Sequence, residues 1–448
     1  MRIKLARTLT ESECRKRFGD DVAVYRKATA VFLVTDSREV EENDIFVALA
    51  GREKNGADFL EEARTRGAAF AVTRNGLVHL SAWARAYKEE VAPKTVAVTG
   101  SVGKSCVKEM LRSLLSEEFS VHASEGNYNT EIGILLTVLA MPESCEILIV
   151  EMGARSAGDI RTLSMLLSPD IGIITAIGHA HVGMLGDPKS VQKVKFEIIE
   201  GMHDRGRLFL GIGVKPPQNM QFPSDLIEGF SENAHDTFAV YAVRTEPKKT
   251  CFTVKTEGYL YKDMTVRASG KHMAHNAALA IAAAEHLGLS RDAIARGINA
   301  FRPLPLRGEV DEIGGVTLIK DYYNASPESM RAAAELLRVF RGNRPGARTY
   351  ALLGDMLELG DYSEDMHREV GFVFGKLPID GIFAFGRYKN TLLEAAAEQN
   401  FVGILSGEPD DLASRLHAGD ILLIKASRGM HAEAWIERLF TKGGCKKE

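Results

Sequence analysis

Residues 96–110 read "VAVTGSVGKSCVKEM": an apolar strand, a glycine turn, Gly-Lys-Ser and the start of a helix. A loop that holds a polyphosphate needs inward-turned backbone N–H groups, a lysine at the helix start and a hydroxyl for Mg²⁺. Gly100 and Gly103 allow close backbone approach, Lys104 supplies the charge and Ser105 the hydroxyl. Ser101, Val102 and Cys106 complete the turn. The full G-x-x-x-x-G-K-[ST] spacing would put a glycine at 98, where Val98 stands. On these residues alone, a shortened phosphate loop competes with a plain helix N-terminus carrying an exposed lysine.

Other residues with chemical potential sit at strand ends or along helices. Glu151 ends the apolar "EILIV", where a carboxylate reaches out of a sheet; a solvated strand end reads the same way. His181, in "HAHVG", follows the strand "DIGIITAIG", and a lone histidine there is ordinarily a loop residue. His272 and Asn276 lie one turn apart on a helix opening at Gly270, so both face one way. Helix propensity explains an asparagine in that Ala-rich stretch poorly, which favours a nucleotide contact over a helix–helix hydrogen bond. In "SVQKVKFEIIEGM" (190–202), Val191, Val194, Ile198, Ile199 and Met202 share one helical face with Lys195 in its middle. A lysine driven inward loses proton affinity, and only the neutral amine can add CO₂. A lysine snorkelling out of a partly buried face is the plainer alternative.

Such groups need elements that end at one edge. The 448 residues suffice for several cores, and three regions separate by pattern. Residues 1–92 mix short strands ("DIFVALAG", "AAFAVTR") with a helix around "ADFLEEARTRG". Residues 93–302 alternate strand and helix, with helices expected over 104–118, 188–202 and 272–287. That alternation argues for a mostly parallel sheet covered on both faces. Residues 231–268, rich in Thr, Tyr and Val, read as an antiparallel flap. After the Pro-rich joint "FRPLPLRGEV", residues 303–448 alternate again as a smaller doubly wound domain. The fold class is α/β in three domains, and ligands in such sheets bind at the carboxyl ends of strands.

Hydrophobic residues make up 45% and charged residues 26%, the balance of a folded globular chain. A net charge of −4 gives no support for nucleic-acid binding. The five scattered cysteines include no C-x-x-C pair, which argues against a disulfide framework or a structural zinc site. The charged first residues show no apolar leader and the longest apolar runs are too short for a bilayer. A cytoplasmic monomer without membrane insertion is expected.

"VTGSVGKS", "GNYNTEIG" (126–133), "VEMGARSAGDI" (150–160), "AHVGMLG" (180–186), "GKHMAHNAALA" (270–280), "DYYNASPESM" (321–330), "GDMLELG" (354–360) and "KASRGM" (425–430) come in this order. Together they resemble the Mur ligase family over nearly the whole chain. The family uses a shortened phosphate loop of this form. "TDSREVEENDIFVALAG", "GNYNTEIG", "DYYNASP" and "GDMLELG" point to the branch joining D-alanyl-D-alanine to UDP-N-acetylmuramoyl-tripeptide. The resemblance implies an N-terminal uridine-nucleotide-binding domain, a central phosphate-loop ATPase-like domain and a C-terminal Rossmann-like domain. The implied reaction uses ATP to turn a carboxylate into an acyl phosphate, which an amine then attacks.

The resemblance also implies roles. Gly100, Ser101, Val102, Gly103, Lys104, Ser105, Cys106, Asn276, Arg307 and Asp321 would bind ATP. Ser105, Glu151, His181 and a CO₂-carbamylated Lys195 would hold two Mg²⁺ ions, and Lys104, Lys195, Glu151 and His181 would carry the chemistry. Ser37 and Arg38 of "TDSR", Asn129, Thr130, Asn324, Lys425, Ser427 and Arg428 would face the substrates; an Asx turn is the plainer reading of "TDSR". His367 also matches a family position, although a satisfied structural histidine is the expected role. Ala57, Leu135, Cys106 and Ala176 depart from the family's usual residues without removing a charge that the chemistry needs. Two rival readings stand beside it: another member of the same superfamily, such as the ligase of the preceding step or a folylpolyglutamate synthetase, and a non-catalytic ATP-binding switch.

Overall fold

The computed structural model describes residues 1–51, 54–180, 182–218, 220–223, 226–408 and 410–441. Strand Lys94–Thr99 is buried after its first residue, as expected for a strand covered on both faces of a parallel sheet. It lies inside a six-stranded sheet ordered Ile227–Gly229, Arg207–Leu210, Ile171–Ile174, Lys94–Thr99, Ile147–Glu151, Val121–Ala123. Every neighbouring pair in that sheet is parallel. The two strands that flank Lys94–Thr99 both come later in the chain, so strand order reverses at its carboxyl end. The phosphate-loop sequence leaves the sheet at this switch point, where such folds take ligands.

The helices that follow carry the expected apolar faces. Lys104–Leu115 buries Val107, Met110, Leu111, Leu114 and Leu115, and Lys271–His286 packs against it. Asp187 caps the helix after residue 186, with a proline at the first turn. This helix is α-helical over Pro188–Phe196 and tightens to a 3₁₀ turn over Glu197–Gly201. Val191, Val194 and Ile198 are buried as their spacing requires. The flap is a three-stranded antiparallel sheet of Ala239–Glu246, Lys249–Lys255 and Leu260–Val266.

The N-terminal region forms a mixed sheet ordered Arg2–Thr10, Thr29–Val34, Ile45–Val47, Phe70–Val72, Val22–Val24. Helix Gly76–Val91 joins it to the central sheet: Trp83 and Tyr87 are buried, and the Tyr87 hydroxyl donates to the Met141 carbonyl at 2.6 Å.

In the C-terminal region, Glu309–Ile313 is an antiparallel edge on Val316–Asp321, followed by parallel Ile421–Lys425, Thr349–Leu353, Gly381–Ala384 and Ile404–Ser406. Asp321 and Leu353 are both register partners of Lys425, so three strand ends meet at one edge. Val182 and Val191, from the central region, are buried in the apolar core of this C-terminal unit beside Met356 and Leu359. No helix among the described residues is long and apolar enough to cross a membrane.

Candidate active site

The loop between Thr99 and Lys104 can only be made with glycine at two positions. Gly100 has φ +138°, and a Cβ there would lie 2.1 Å from Thr175 Oγ1. Gly103 has φ +90°, and a Cβ there would lie 2.8 Å from Asn276 Oδ1. The loop is strapped to the segment after Ile171–Ile174. Ser101 N–H donates to the Ala176 carbonyl, Ser101 Oγ accepts from Gly178 N–H at 3.0 Å, and the Thr175 hydroxyl donates to the Val102 carbonyl at 2.5 Å. Lys104 folds over this turn, donating to the Gly100 carbonyl at 2.9 Å. Burial lowers its proton affinity, and Glu151 acts in the opposite direction.

Glu151 stands at the carboxyl end of its strand, 3% exposed. The Ser105 hydroxyl donates to one carboxylate oxygen at 2.6 Å and Asn129 Nδ2 to the other at 2.9 Å. Burial alone would raise this carboxyl, but the Lys104 charge and these two donors hold it below its ordinary range. Among the described residues no three His, Cys, Asp or Glu side chains gather. The oxygen donors in this corner are a serine hydroxyl and one carboxylate.

Lys195 is fully buried, and among the described residues its Nζ has no hydrogen-bond partner. Burial first, and then the Lys104 charge, bring its pKa down to about 7, with Glu151, Asp159 and Glu197 acting the other way. The periodicity of 190–202 therefore placed this amine correctly. His181 lies outside the described residues.

The C-terminal unit closes the other side. Arg307 Nη2 donates to Ser105 Oγ at 3.1 Å, and its guanidinium lies 4.0 Å from the Tyr323 ring centroid. Lys425, 1% exposed, pairs with Asp321 at 3.1 Å and donates to the Asn324 carbonyl at 2.5 Å. His179 donates from its backbone N–H and from Nδ1 to Glu328 Oε1, at 3.1 and 2.8 Å, and Gly183 N–H donates to the Glu358 carbonyl at 3.1 Å. Between the two units lies a cavity of about 450 Å³. Ser101, Val102, Gly103, Lys104, Ser105, Cys106, Asn129, Glu151, Asn276, Arg307, Asp321, Asn324 and Lys425 all line it.

A second cavity of about 230 Å³ lies on the far side of Lys104 and Asn129, with Thr130, Arg155, Asp159 and Thr162 in its wall. Four of the expected substrate residues line neither cavity. The Ser37 hydroxyl is committed to Glu62 at 2.7 Å, and Asp36 Oδ1 accepts from Arg38 N–H, the Asx turn foreseen for "TDSR". Ser427 Oγ accepts from Leu357 N–H, and Arg428 pairs with Glu433 on the surface. His367 Nε2 accepts from Met356 N–H, its Nδ1–H donates to the Ser363 carbonyl, and the ring stacks on Tyr388. Thr175, Tyr323, His179 and Glu328 were not anticipated. Glu328 stands in the first turn of helix Pro327–Asn343, which Ser326 caps, and local sequence gives no sign that its carboxylate spans two units.

Residues 98–284 match the Mur ligase middle domain, and residues 307–428 match the Mur ligase, glutamate ligase domain. The chain is 33% identical over 438 residues to the UDP-N-acetylmuramoyl-tripeptide–D-alanyl-D-alanine ligase of Bacillus subtilis, covering 93% of this chain and 94% of that relative. Among solved structures, MurF from Acinetobacter baumannii shares the fold with a TM-score of 0.84 at 24% identity, over 98% of this chain and 100% of that one. The MurF ligase of Thermotoga maritima, solved in complex with ADP, gives a TM-score of 0.76 at 28% identity, over 92% and 97% of the two chains.

Proposed function

The chain belongs to the Mur ligase family, and we propose that it is an ATP-dependent ligase joining D-alanyl-D-alanine to UDP-N-acetylmuramoyl-tripeptide. The reading is carried by one observation: Arg307 of the C-terminal unit reaches the phosphate-loop Ser105 over a cavity of nucleotide size. ATP would lie in that cavity, its phosphates on the loop amides and Lys104, with Asn276 and Asp321 at its periphery. The second cavity abuts the same lysine and suits the tripeptide's carboxylate. That carboxylate attacks the γ-phosphorus, an acyl phosphate forms and ADP leaves. The neutral dipeptide amine then attacks the acyl carbon, the acyl C–O bond to the phosphoryl group breaks, and inorganic phosphate departs as the nitrogen releases a proton. Lys104 and Arg307 counter the charge on the transferring phosphoryl group. Asn129 orients Glu151 and lines both cavities, so it sits where the two substrates meet.

Ser105 and Glu151 are hard oxygen donors suited to Mg²⁺, and His181 is assigned with them from the family resemblance. Magnesium, when bound, would screen the phosphate charges and polarise the γ-phosphoryl group. Lys195, once carbamylated, would complete the donor set. Its neutral amine adds to CO₂, the N–C bond forms, a C=O electron pair moves to oxygen, and an N–H proton leaves. The buried Nζ, without a hydrogen-bond partner among the described residues, supports this reading. Ser37, Arg38, Ser427 and Arg428 would meet substrate only after local rearrangement. The protein would act in the cytoplasm as a monomer. Across nearly its full length it is similar to a dipeptide-adding ligase, which disfavours the preceding-step ligase, the folylpolyglutamate synthetase and the switch.

Phosphate release from ATP with UDP-muramoyl-tripeptide, with and without D-alanyl-D-alanine, tests the reaction. Turnover that requires both substrates is expected; ATP hydrolysis indifferent to the dipeptide would overturn it.

A further inference from the structure

Lys108 is 1% exposed, on the helix that opens with Lys104 and one turn beyond it, yet it lines neither cavity. A buried ammonium needs partners, and this one has two. It donates to the Ser124 carbonyl, and it lies 3.1 Å from the Glu109 carboxylate. Ser124, 2% exposed, follows the edge strand Val121–Ala123. Its N–H donates to the Ile149 carbonyl at 3.0 Å, and its hydroxyl accepts from Glu151 N–H at 3.1 Å. Five residues after Ser124, Asn129 donates to the Glu151 carboxylate.

One helix therefore grips Glu151 at both ends. Ser105 holds the carboxylate directly, while Lys108 holds the backbone through Ser124. We infer that Lys108 is a positioning residue. Through Ser124 it fixes the strand end and the following loop, so that Glu151 and Asn129 present their side chains to the phosphate loop in one arrangement. Its effect is exerted on Mg²⁺–nucleotide affinity rather than on the chemistry. This rests on the reading of Glu151 as a magnesium ligand.

The test is Mg²⁺ titration of fluorescent-ADP binding, with thermal melting run in parallel, on Lys108→Met, Ser124→Ala, Ser124→Thr and Glu151→Gln. Loss of groups that orient a metal ligand typically lowers metal affinity about 10–100-fold. Lys108→Met and Ser124→Ala should each raise the half-saturating Mg²⁺ concentration about 10-fold, and Ser124→Thr, which keeps the hydroxyl, should restore it. Where Lys108→Met fails to fold, Lys108→Gln decides by the same Mg²⁺ demand, because the Ser124 variants keep the carbonyl that Lys108 bonds and report only on the Ser124–Glu151 link. A lowered melting temperature with unchanged Mg²⁺ demand in Lys108→Met and Ser124→Ala would overturn the inference and leave Lys108 purely structural. An unchanged Mg²⁺ demand in Glu151→Gln would instead overturn the magnesium reading from which it starts.

Discussion

Arg307 and Ser105 are 202 residues apart in the chain, yet a guanidinium nitrogen of one donates to the hydroxyl of the other at 3.1 Å. The same hydroxyl donates to Glu151, so one serine links the C-terminal unit to the carboxylate of the central sheet. The guanidinium carbon also lies 4.0 Å from the Tyr323 ring centroid, a cation–π contact. An arginine so placed can follow a phosphoryl group as its charge spreads, because its planar fork offers several donors at once.

Arg307→Ala should therefore lower kcat by about 10²-fold, the usual scale for one charge-stabilising contact. Arg307→Lys keeps the charge but loses the fork and most of the stack, and it should recover only part of that loss. Steady-state ADP production at saturating substrates measures both. Full activity in the lysine variant would mean that only charge matters here.

Lys104 meets the cavity from the loop side, where its amine caps the Gly100 carbonyl. Lys104→Ala should reduce turnover by about 10²–10³-fold with little change in melting temperature, since a half-buried side chain is removed and no core is opened. Turnover within about threefold of the parent would end the phosphate-loop assignment.

Gly183 and Gly360 touch where the two units meet. A Cβ on Gly183 would lie 2.4 Å from Gly360 N, and Gly183 N–H already donates to the Glu358 carbonyl. Backbone stands on the far side of that contact, so Gly183→Ala must push the loops apart. The variant should bind nucleotide in the central unit but bring Arg307 poorly to Ser105. Its kcat should fall more than its nucleotide affinity, and its scattering radius with nucleotide and acceptor bound should exceed the parent's. Identical radii and kinetics would show that the contact is not needed for closure.

What could be read from the chain was what local physics dictates. A phosphate loop announces itself because glycine, lysine and hydroxyl must stand within a few residues of one another. The burial of Lys195 follows from a 3.6-residue period, and it survives the tightening of that helix after Phe196. Partnerships that only a third dimension creates stayed hidden. Nothing near Lys108 marks it as buried, because its reason is Ser124 on another element. Strand Arg2–Thr10 was missed because charged residues interrupt its alternation and a bulge breaks its register between Lys4 and Leu9. Ser37 looked free to read a nucleotide, but its hydroxyl turns inward to Glu62.

Lys195 yields the pH prediction. Its pKa in the fold is about 7, against an ordinary 10.5. Burial and Lys104 lower it, while Glu151, Asp159 and Glu197 raise it. Between those two values the unfolded chain holds more protons than the fold. The stability cost of the unmodified amine is therefore full below about pH 7 and fades as pH rises toward 10.5. The neutral amine that CO₂ requires grows over the same rise, from about one-tenth at pH 6 to about nine-tenths at pH 8. Carbamate and activity should then fall together as pH drops through 7, and added bicarbonate should restore part of both near neutrality. Carbon-13 NMR with labelled bicarbonate reads the carbamate directly, independent of turnover. Lys195→Ala should be nearly inactive and partly rescued by small carboxylic acids, which replace the missing anion. Lys195→Arg keeps a cation that cannot add CO₂ and should be inactive and beyond rescue. A fully active arginine variant, or no carbamate signal at about pH 8 in bicarbonate, would remove the carbamate from the site.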